Sequence, residues 1–167
     1  GSESTNTVAG LGAITASGTT TTVGVYAYNG GTNIVNHKGD TDRGDIVVTA
    51  KTGAAHGIAA TGTETGASSN TVYGYNNISV TGATLATGIE ATGNNATNTA
   101  TNTVNMNGAI SATYTDTGTA AGVSAVTYAD NTVKTATNIT ASSKLGTAYG
   151  VDASDHSSNT VDMTENL

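Results

Sequence analysis

Residues 102–126, NTVNMNGAISATYTDTGTAAGVSAV, contain three short phrases that recur along the chain in one order. The first phrase is Asn-Thr-Val. The second is an aliphatic residue, then Ser or Thr, then Ala or Val. The third is a small residue, any residue, Gly, Ile or Val, any residue and Ala. Apolar and small polar positions alternate in each phrase with a period of two, which is typical of a strand with one buried face rather than of an amphipathic helix.

The phrases define a repeat that returns about every 30 residues. The first phrase begins at Asn6, Asn33 (as Asn-Ile-Val), Asn70, Asn102, Asn131 and Asn159. The second begins at Ile14, Val48, Ile78, Ile110 and Ile139, and the third at Thr22, Ala55, Ala86, Ala120 and Ala148. The repeat length varies only between the phrases, which indicates constant strands joined by variable turns.

This pattern predicts an all-β protein, a right-handed parallel β-helix with three short strands per coil and about five coils. Residues 6–167 form the β-helix fragment in this interpretation, and residues 1–5 are a cloning scar or an N-terminal linker. The absence of Pro agrees, because strands with neighbours on both sides need every backbone N–H.

Two recurring polar or small residues have a structural explanation. We expect the leading Asn to occupy a tight corner at positive φ and to hydrogen-bond its equivalent in the next coil. This predicts an internal ladder of Asn6, Asn33, Asn70, Asn102, Asn131 and Asn159. The Gly of the third phrase marks a bend or bulge where no Cβ fits.

The composition excludes several classes of function. The chain has no Cys, so a disulfide-stapled scaffold and a cysteine-dependent enzyme are excluded. Five Lys and Arg against twelve Asp and Glu argue against nucleic acid as a partner. No apolar run is long enough to span a bilayer. We expect no cofactor.

The phrases, in a background of Thr, Ala, Gly and Asn, resemble the passenger region of pertactin-like bacterial autotransporters over nearly the whole chain, from Asn6 to Val161. The resemblance implies a β-helix displayed outside a Gram-negative cell, at the outer-membrane surface, with membrane contact only through a C-terminal barrel outside this sequence. It implies a secreted virulence factor for cell adhesion, and it brings no catalytic residues. The partners would be a host-cell surface protein, a glycan, or other copies of the chain.

The segment from His37 to Lys51 differs from the rest, because it holds three of the five basic residues within the longest repeat. We interpret it as a loop outside the coil. It contains Arg43, Gly44 and Asp45, the tripeptide that many integrins recognise, which is the candidate binding site. The acidic residues Asp40, Asp42 and Asp45 give it a partial likeness to a calcium loop, but Gly takes the fifth position and no Glu follows at the twelfth, so no metal site is predicted.

The residues predict no catalytic site. The three histidines, His37, His56 and His156, lack metal-ligand spacing and are predicted to be solvated turn or face residues. A polysaccharide-degrading β-helix would need clustered acidic residues on one face. The nearest approach to such a cluster is Glu90 and Asp152, two coils apart with Ser124 between them.

The function that follows is that of a non-catalytic surface segment, an adhesin or stalk. The alternatives are the polysaccharide-degrading enzyme and an ice-binding solenoid, the latter suggested by alternating Thr in residues 97–103 and 113–119. Those runs fall in a single repeat, which predicts no Thr array continued over the coils. A trimeric autotransporter head is disfavoured because its repeat is about half as long.

Overall fold

The computed structural model describes residues 4–10, 12–36, 44–74, 76–135 and 138–162. In these ranges the chain forms sixteen strands and no helix. The described residues therefore contain no helix that could cross a membrane. The strands are β1 (Thr5–Val8), β2 (Ile14–Gly18), β3 (Thr22–Tyr28), β4 (Thr32–Val35), β5 (Ile46–Ala50), β6 (Ala54–Thr61), β7 (Ser68–Gly74), β8 (Ile78–Gly82), β9 (Leu85–Thr92), β10 (Ala100–Met106), β11 (Ile110–Tyr114), β12 (Thr119–Val126), β13 (Ala129–Thr135), β14 (Ile139–Ser143), β15 (Thr147–Ser154) and β16 (Ser158–Asp162).

Every third strand belongs to the same parallel sheet. Sheet A has the order β1-β4-β7-β10-β13-β16, sheet B has β2-β5-β8-β11-β14, and sheet C has β3-β6-β9-β12-β15. Each phrase of the repeat therefore occupies one sheet: the first phrase sheet A, the second sheet B and the third sheet C. The predicted all-β parallel β-helix with three strands per coil is confirmed.

The interior is narrow and is filled by one or two aliphatic side chains from each strand. Alternate residues point inwards, as in Ile110–Tyr114, where Ile110, Ala112 and Tyr114 are buried. The largest fully buried side chains are Ile46, Ile58, Ile78, Ile89, Met106, Ile110, Val48, Val72, Val80, Val104, Val123 and Val133. A chain with few large apolar residues can form a core this way, because stacked coils bury a continuous row of them.

The asparagines of the first phrase form a continuous ladder that is buried in its four central members and exposed at both ends. The side-chain Nδ2 of each donates to Oδ1 of the next at 2.8 to 2.9 Å, through Asn6, Asn33, Asn70, Asn102, Asn131 and Asn159. The predicted reason for Asn is wrong in one respect, since none of these residues has positive φ. They lie within the strands of sheet A, and the turns from sheet C to sheet A use other residues at positive φ, among them Asn29, Thr127 and Tyr128.

In the second repeat, the second phrase begins at a different residue from the one that the sequence predicts. Ile46, rather than Val48, pairs with Ile14 on one side and with Ile78 on the other. The error is a shift of two residues, which leaves the same alternate positions facing the core. Both Ile46 and Val48 are buried, so the hydrophobic pattern alone could not distinguish the two registers.

Four of the five glycines of the third phrase, Gly24, Gly57, Gly88 and Gly122, lie where a Cβ would collide with neighbouring atoms, and Gly150 is the exception. A Cβ on Gly57 would lie 2.5 Å from the backbone oxygen of Gly88 and 2.6 Å from the Ile78 side chain. On Gly88 it would lie 2.4 Å from the Ile110 side chain. Because Ala55 and Ile58 both face the interior, Gly57 also interrupts the two-residue alternation. The predicted bend without room for a Cβ is therefore present.

Candidate functional site

The Arg-Gly-Asp tripeptide lies only partly within the described structure. Arg43 is outside the described residues, whereas Gly44 packs against the backbone of Gly12. The Asp45 carboxylate accepts hydrogen bonds from the backbone N of Asn77 at 2.9 Å and from its Nδ2 at 3.2 Å. Asp45 therefore has a structural task at a corner between coils, where it binds the residue that precedes the next strand of sheet B.

The structure describes only one of the three acidic residues considered as calcium ligands. Asp40 and Asp42 lie outside the described residues, and Asp45 is bound to Asn77. Among the described residues, no group of three or more His, Asp or Glu side chains is placed to hold a metal ion.

Two of the three histidines lie in the described part of the chain, and they differ. His156 occupies an exposed turn, where its ring stacks on Tyr128 with centroids 4.7 Å apart. This agrees with the predicted solvated turn residue. His56 does not: its side chain is only 13% exposed, and its Nδ1 lies 3.1 Å from Oε2 of Glu90. The prediction of a solvated His56 is wrong, and His37 lies outside the described residues.

His56 and Glu90 come together on the outer side of sheet C, from neighbouring strands. His56 pairs in register with Thr87, and Glu90 pairs with Ala59, so the two side chains approach diagonally across β6 and β9. The Nδ1–Oε2 distance is that of an ion pair, although the geometry is not that of a well-aligned hydrogen bond. The other carboxylate oxygen, Oε1, accepts a hydrogen bond from the Thr92 hydroxyl at 3.2 Å.

The environment favours the ionised form of the Glu90 carboxyl group. Burial raises the pKa of Glu90, but the contact with His56 and the charge of its ring lower it, as do hydrogen bonds from Thr92 and Thr87. The lowering effects prevail, so the pKa of Glu90 lies below its ordinary value. The carboxylate is thus a hydrogen-bond acceptor at neutral pH.

The pair lines a cleft of about 220 Å³ on this side of sheet C. Tyr26 forms one wall and is 47% exposed. The lining consists of Thr21, Val23, Tyr26, His56, Ala59, Thr61 and Glu90. An aromatic side chain, small apolar surface and a few convergent polar groups are the usual features of a small-molecule site.

The asparagine ladder fixes the backbone beneath this cleft. In addition to its bond along the ladder, each Asn donates to a backbone oxygen of sheet C: Asn6 to Tyr26 at 2.6 Å, Asn33 to Ala59 at 2.8 Å and Asn70 to Glu90 at 2.7 Å. The three acceptors are consecutive members of one column of the sheet. A buried network therefore positions lining residues of an external cleft.

Sequence reasoning placed Glu90, Ser124 and Asp152 in one column, and their register is as expected. Sequence reasoning missed the contact between His56 and Glu90, because it compared only residues at the same register. His56 lies three positions before the partner of Glu90, across the bend at Gly57. The recurring Gly was the available signal that outward side chains on its two sides converge.

The outer faces of sheets A and B carry columns of residues that mostly bear hydroxyl groups, interrupted by Ile34 and Asp130 on sheet A and by Val47 on sheet B. On sheet A these are the columns Thr5, Thr32, Ser69, Thr101, Asp130, Ser158 and Thr7, Ile34, Thr71, Thr103, Thr132, Thr160. On sheet B they are Thr15, Val47, Ser79, Ser111, Thr140 and Ser17, Thr49, Thr81, Thr113, Ser142. The prediction that no Thr array continues over the coils is wrong for one column of sheet A, where Thr71, Thr103, Thr132 and Thr160 follow one another. Ile34 interrupts that column in the next coil towards the N-terminus.

A second depression, of about 250 Å³, lies on the outer face of sheet A. It is lined by Tyr73, Thr103, Val104, Asn105, Thr132 and Lys134. Its polar groups are exposed or half-buried and lack a buried charged pair such as His56 and Glu90.

Comparison with known proteins found no matching family model, no similar curated protein and no similar solved structure.

Proposed function

We propose that this chain is a non-catalytic segment of a cell-surface β-helix that acts as an adhesin or stalk. The observation that supports this best is the set of four columns on sheets A and B, two on each sheet, in which most residues bear a hydroxyl group. They offer many neutral hydrogen-bonding groups in a regular arrangement. The exposed large apolar side chains are few and scattered among the described residues, unlike a tight protein interface: Tyr26, Tyr28, Val47, Leu145, Tyr149 and Val161.

Such a surface binds through many weak contacts. Each Ser or Thr hydroxyl contributes little to binding on its own, because it exchanges one hydrogen bond with water for another. Several copies displayed together add their contacts and bind far more tightly than one. Glycans, and other copies of the chain, are suitable partners because they also present dense hydroxyl or amide groups.

The proposed location of the chain rests on the pattern of its repeats. Their likeness to pertactin-like passengers favours the surface of a Gram-negative cell, where the solenoid would face host cells. A cell-surface stalk needs length and rigidity, which parallel strands in continuous register provide.

Flow cytometry with labelled chain tests the proposal. The chain would be added to epithelial cells as a monomer and as a streptavidin-linked tetramer. We expect weak binding of the monomer and tighter binding of the tetramer, by about 10² to 10⁴. Equal and negligible binding of both forms, together with no self-association in sedimentation, would contradict a contact function.

An ice-binding solenoid is the second candidate, and the columns of sheet A favour it. Hydroxyls would repeat at about 4.8 Å between strands and about 6.6 Å along a strand, a flat lattice suited to ordered water. Thermal hysteresis of the purified chain tests this candidate. The hysteresis would be lost when Thr71→Tyr and Thr103→Tyr break the flat surface, and retained in the turn variant Thr117→Tyr. A chain without hysteresis is no ice-binding protein.

A further inference from the structure

The cleft around Tyr26, His56 and Glu90 is distinct from the hydroxyl columns and has its own chemistry. We propose that it binds one ring of a neutral glycan, with the ring stacked on Tyr26 and its hydroxyl groups bound by Glu90 and His56. This inference rests on the proposed adhesin function and gives it a defined ligand class and site.

The aromatic wall suits a sugar ring. A pyranose has a face of C–H groups and an edge of hydroxyl groups. Tyr26 presents apolar ring surface, and Val23 and Ala59 add small apolar patches beside it. An aromatic ring provides a large contact area with a defined orientation.

The polar side of the cleft supplies what the hydroxyl edge needs. An ionised carboxylate only accepts hydrogen bonds, so a ligand that binds Glu90 must donate. Hydrogen bonds to a charged acceptor are about twice as strong as neutral ones. His56, Thr21 and Thr61 lie on the same cleft and can donate or accept, which matches the dual character of sugar hydroxyls.

The charges favour a neutral ring. Among the described residues no Lys or Arg lines the cleft, and the chain has a net charge of −7. The imidazole of His56 already faces Glu90, so uronic and sialic acids meet a carboxylate and no unpaired cation among these residues. A cationic ligand such as choline would compete with the imidazole 3.1 Å from Glu90. The volume of about 220 Å³ is below the roughly 300 to 1,000 Å³ of drug-sized sites, so a single ring is the expected ligand.

Saturation-transfer NMR on the whole chain tests the proposal. The probes are glucose, galactose, mannose, N-acetylglucosamine and N-acetylgalactosamine, with N-acetylneuraminic acid and choline as charged comparators. At least one neutral sugar should show saturable binding with a millimolar dissociation constant, as expected for so small a ligand. The charged comparators should show none.

Variants locate the site. Tyr26→Ala should weaken binding of that sugar about tenfold, because it removes the stacking surface from an exposed position without disturbing the core. Glu90→Gln should weaken binding as well. Tyr73→Ala, in the depression on sheet A, should leave binding unchanged.

The outcomes are distinguishable from those for the adhesin proposal. Absence of saturable binding by every neutral sugar would overturn the cleft assignment, as would unchanged binding in the folded Tyr26→Ala variant. Binding only of choline or of N-acetylneuraminic acid would overturn it too. If the tetramer still adheres to cells in any of these cases, the adhesin function survives through the hydroxyl columns and only the cleft proposal fails.

Discussion

Nδ2 of Asn70 lies 2.8 Å from Oδ1 of Asn102 and 2.7 Å from the backbone oxygen of Glu90. One buried amide thus joins two coils of sheet A and also holds a strand of sheet C. The same pair of bonds recurs at Asn6, Asn33, Asn102 and Asn131. The ladder is therefore a main source of cohesion between sheets in a molecule with a narrow apolar core.

Replacement of one central ladder residue should be costly. Asn102→Ala leaves Oδ1 of Asn131 without its lateral donor, and leaves Nδ2 of Asn70 with one hydrogen bond fewer in a buried place. We expect a loss of about 2 to 4 kcal/mol in the free energy of unfolding, measured by urea denaturation. Asn105→Ala, on the exposed face of the same strand, is the control and should change stability by less than about 0.5 kcal/mol. Similar losses in both variants would show that the ladder contributes little.

The glycines of the third phrase allow a matched comparison. Gly88→Ala places a Cβ 2.5 Å from the backbone oxygen of Gly122, which cannot move without disturbing the sheet. Gly150 occupies the equivalent position one coil beyond Gly122, yet a Cβ there meets nothing within 4 Å. We expect Gly88→Ala to lower the melting temperature, with a cost of about 1 to 3 kcal/mol. Gly150→Ala should leave it almost unchanged, and a large effect there would contradict this explanation of the glycines.

The repeats made the fold predictable, because each phrase has its own strand period and its own sheet. The register of Asn-Thr-Val follows from the sequence, since Asn102 must face Asn70 and Asn131 for the polar groups to be satisfied. The corner conformations were less predictable: positive φ falls on Thr127 and Tyr128, residues that seldom adopt it. The cleft was not predictable, because the approach of His56 to Glu90 depends on side-chain direction across a bend.

The Glu90 carboxylate should make stability depend on pH. Its pKa in the folded state lies below the ordinary value of 4.5. Its contribution to stability is therefore fully present above the unfolded value and is lost as the pH falls through the folded value. Glu90→Gln should destabilise the chain most near neutral pH, and the difference from the native chain should shrink as the pH falls below 4.5. Thermal melts across this range test it, with the exposed Glu64→Gln as control. A difference that does not change with pH would contradict the prediction.

We expect the Asp45 carboxylate to stabilise the corner between coils at Asn77 rather than to take part in cell recognition. Asp45→Ala removes the acceptor for the backbone N of Asn77, whereas Asp45→Asn keeps an acceptor oxygen and removes the charge. We expect a loss of about 0.5 to 1.5 kcal/mol for Asp45→Ala and a smaller one for Asp45→Asn. Binding of the tetramer to cells should be the same for native and Asp45→Asn chains. Loss of that binding in Asp45→Asn would instead support integrin recognition of Arg43, Gly44 and Asp45.

The salt dependence of tetramer binding to epithelial cells tests most directly whether this surface makes neutral, multivalent contacts. Hydroxyl groups dominate the outer faces of sheets A and B, and charged residues make up only 10% of the chain. We predict clear binding that changes less than about twofold when the salt concentration rises from 50 mM to 500 mM, because screening weakens only charge interactions. Binding that is absent at both concentrations, or that collapses at the higher one, would contradict the account.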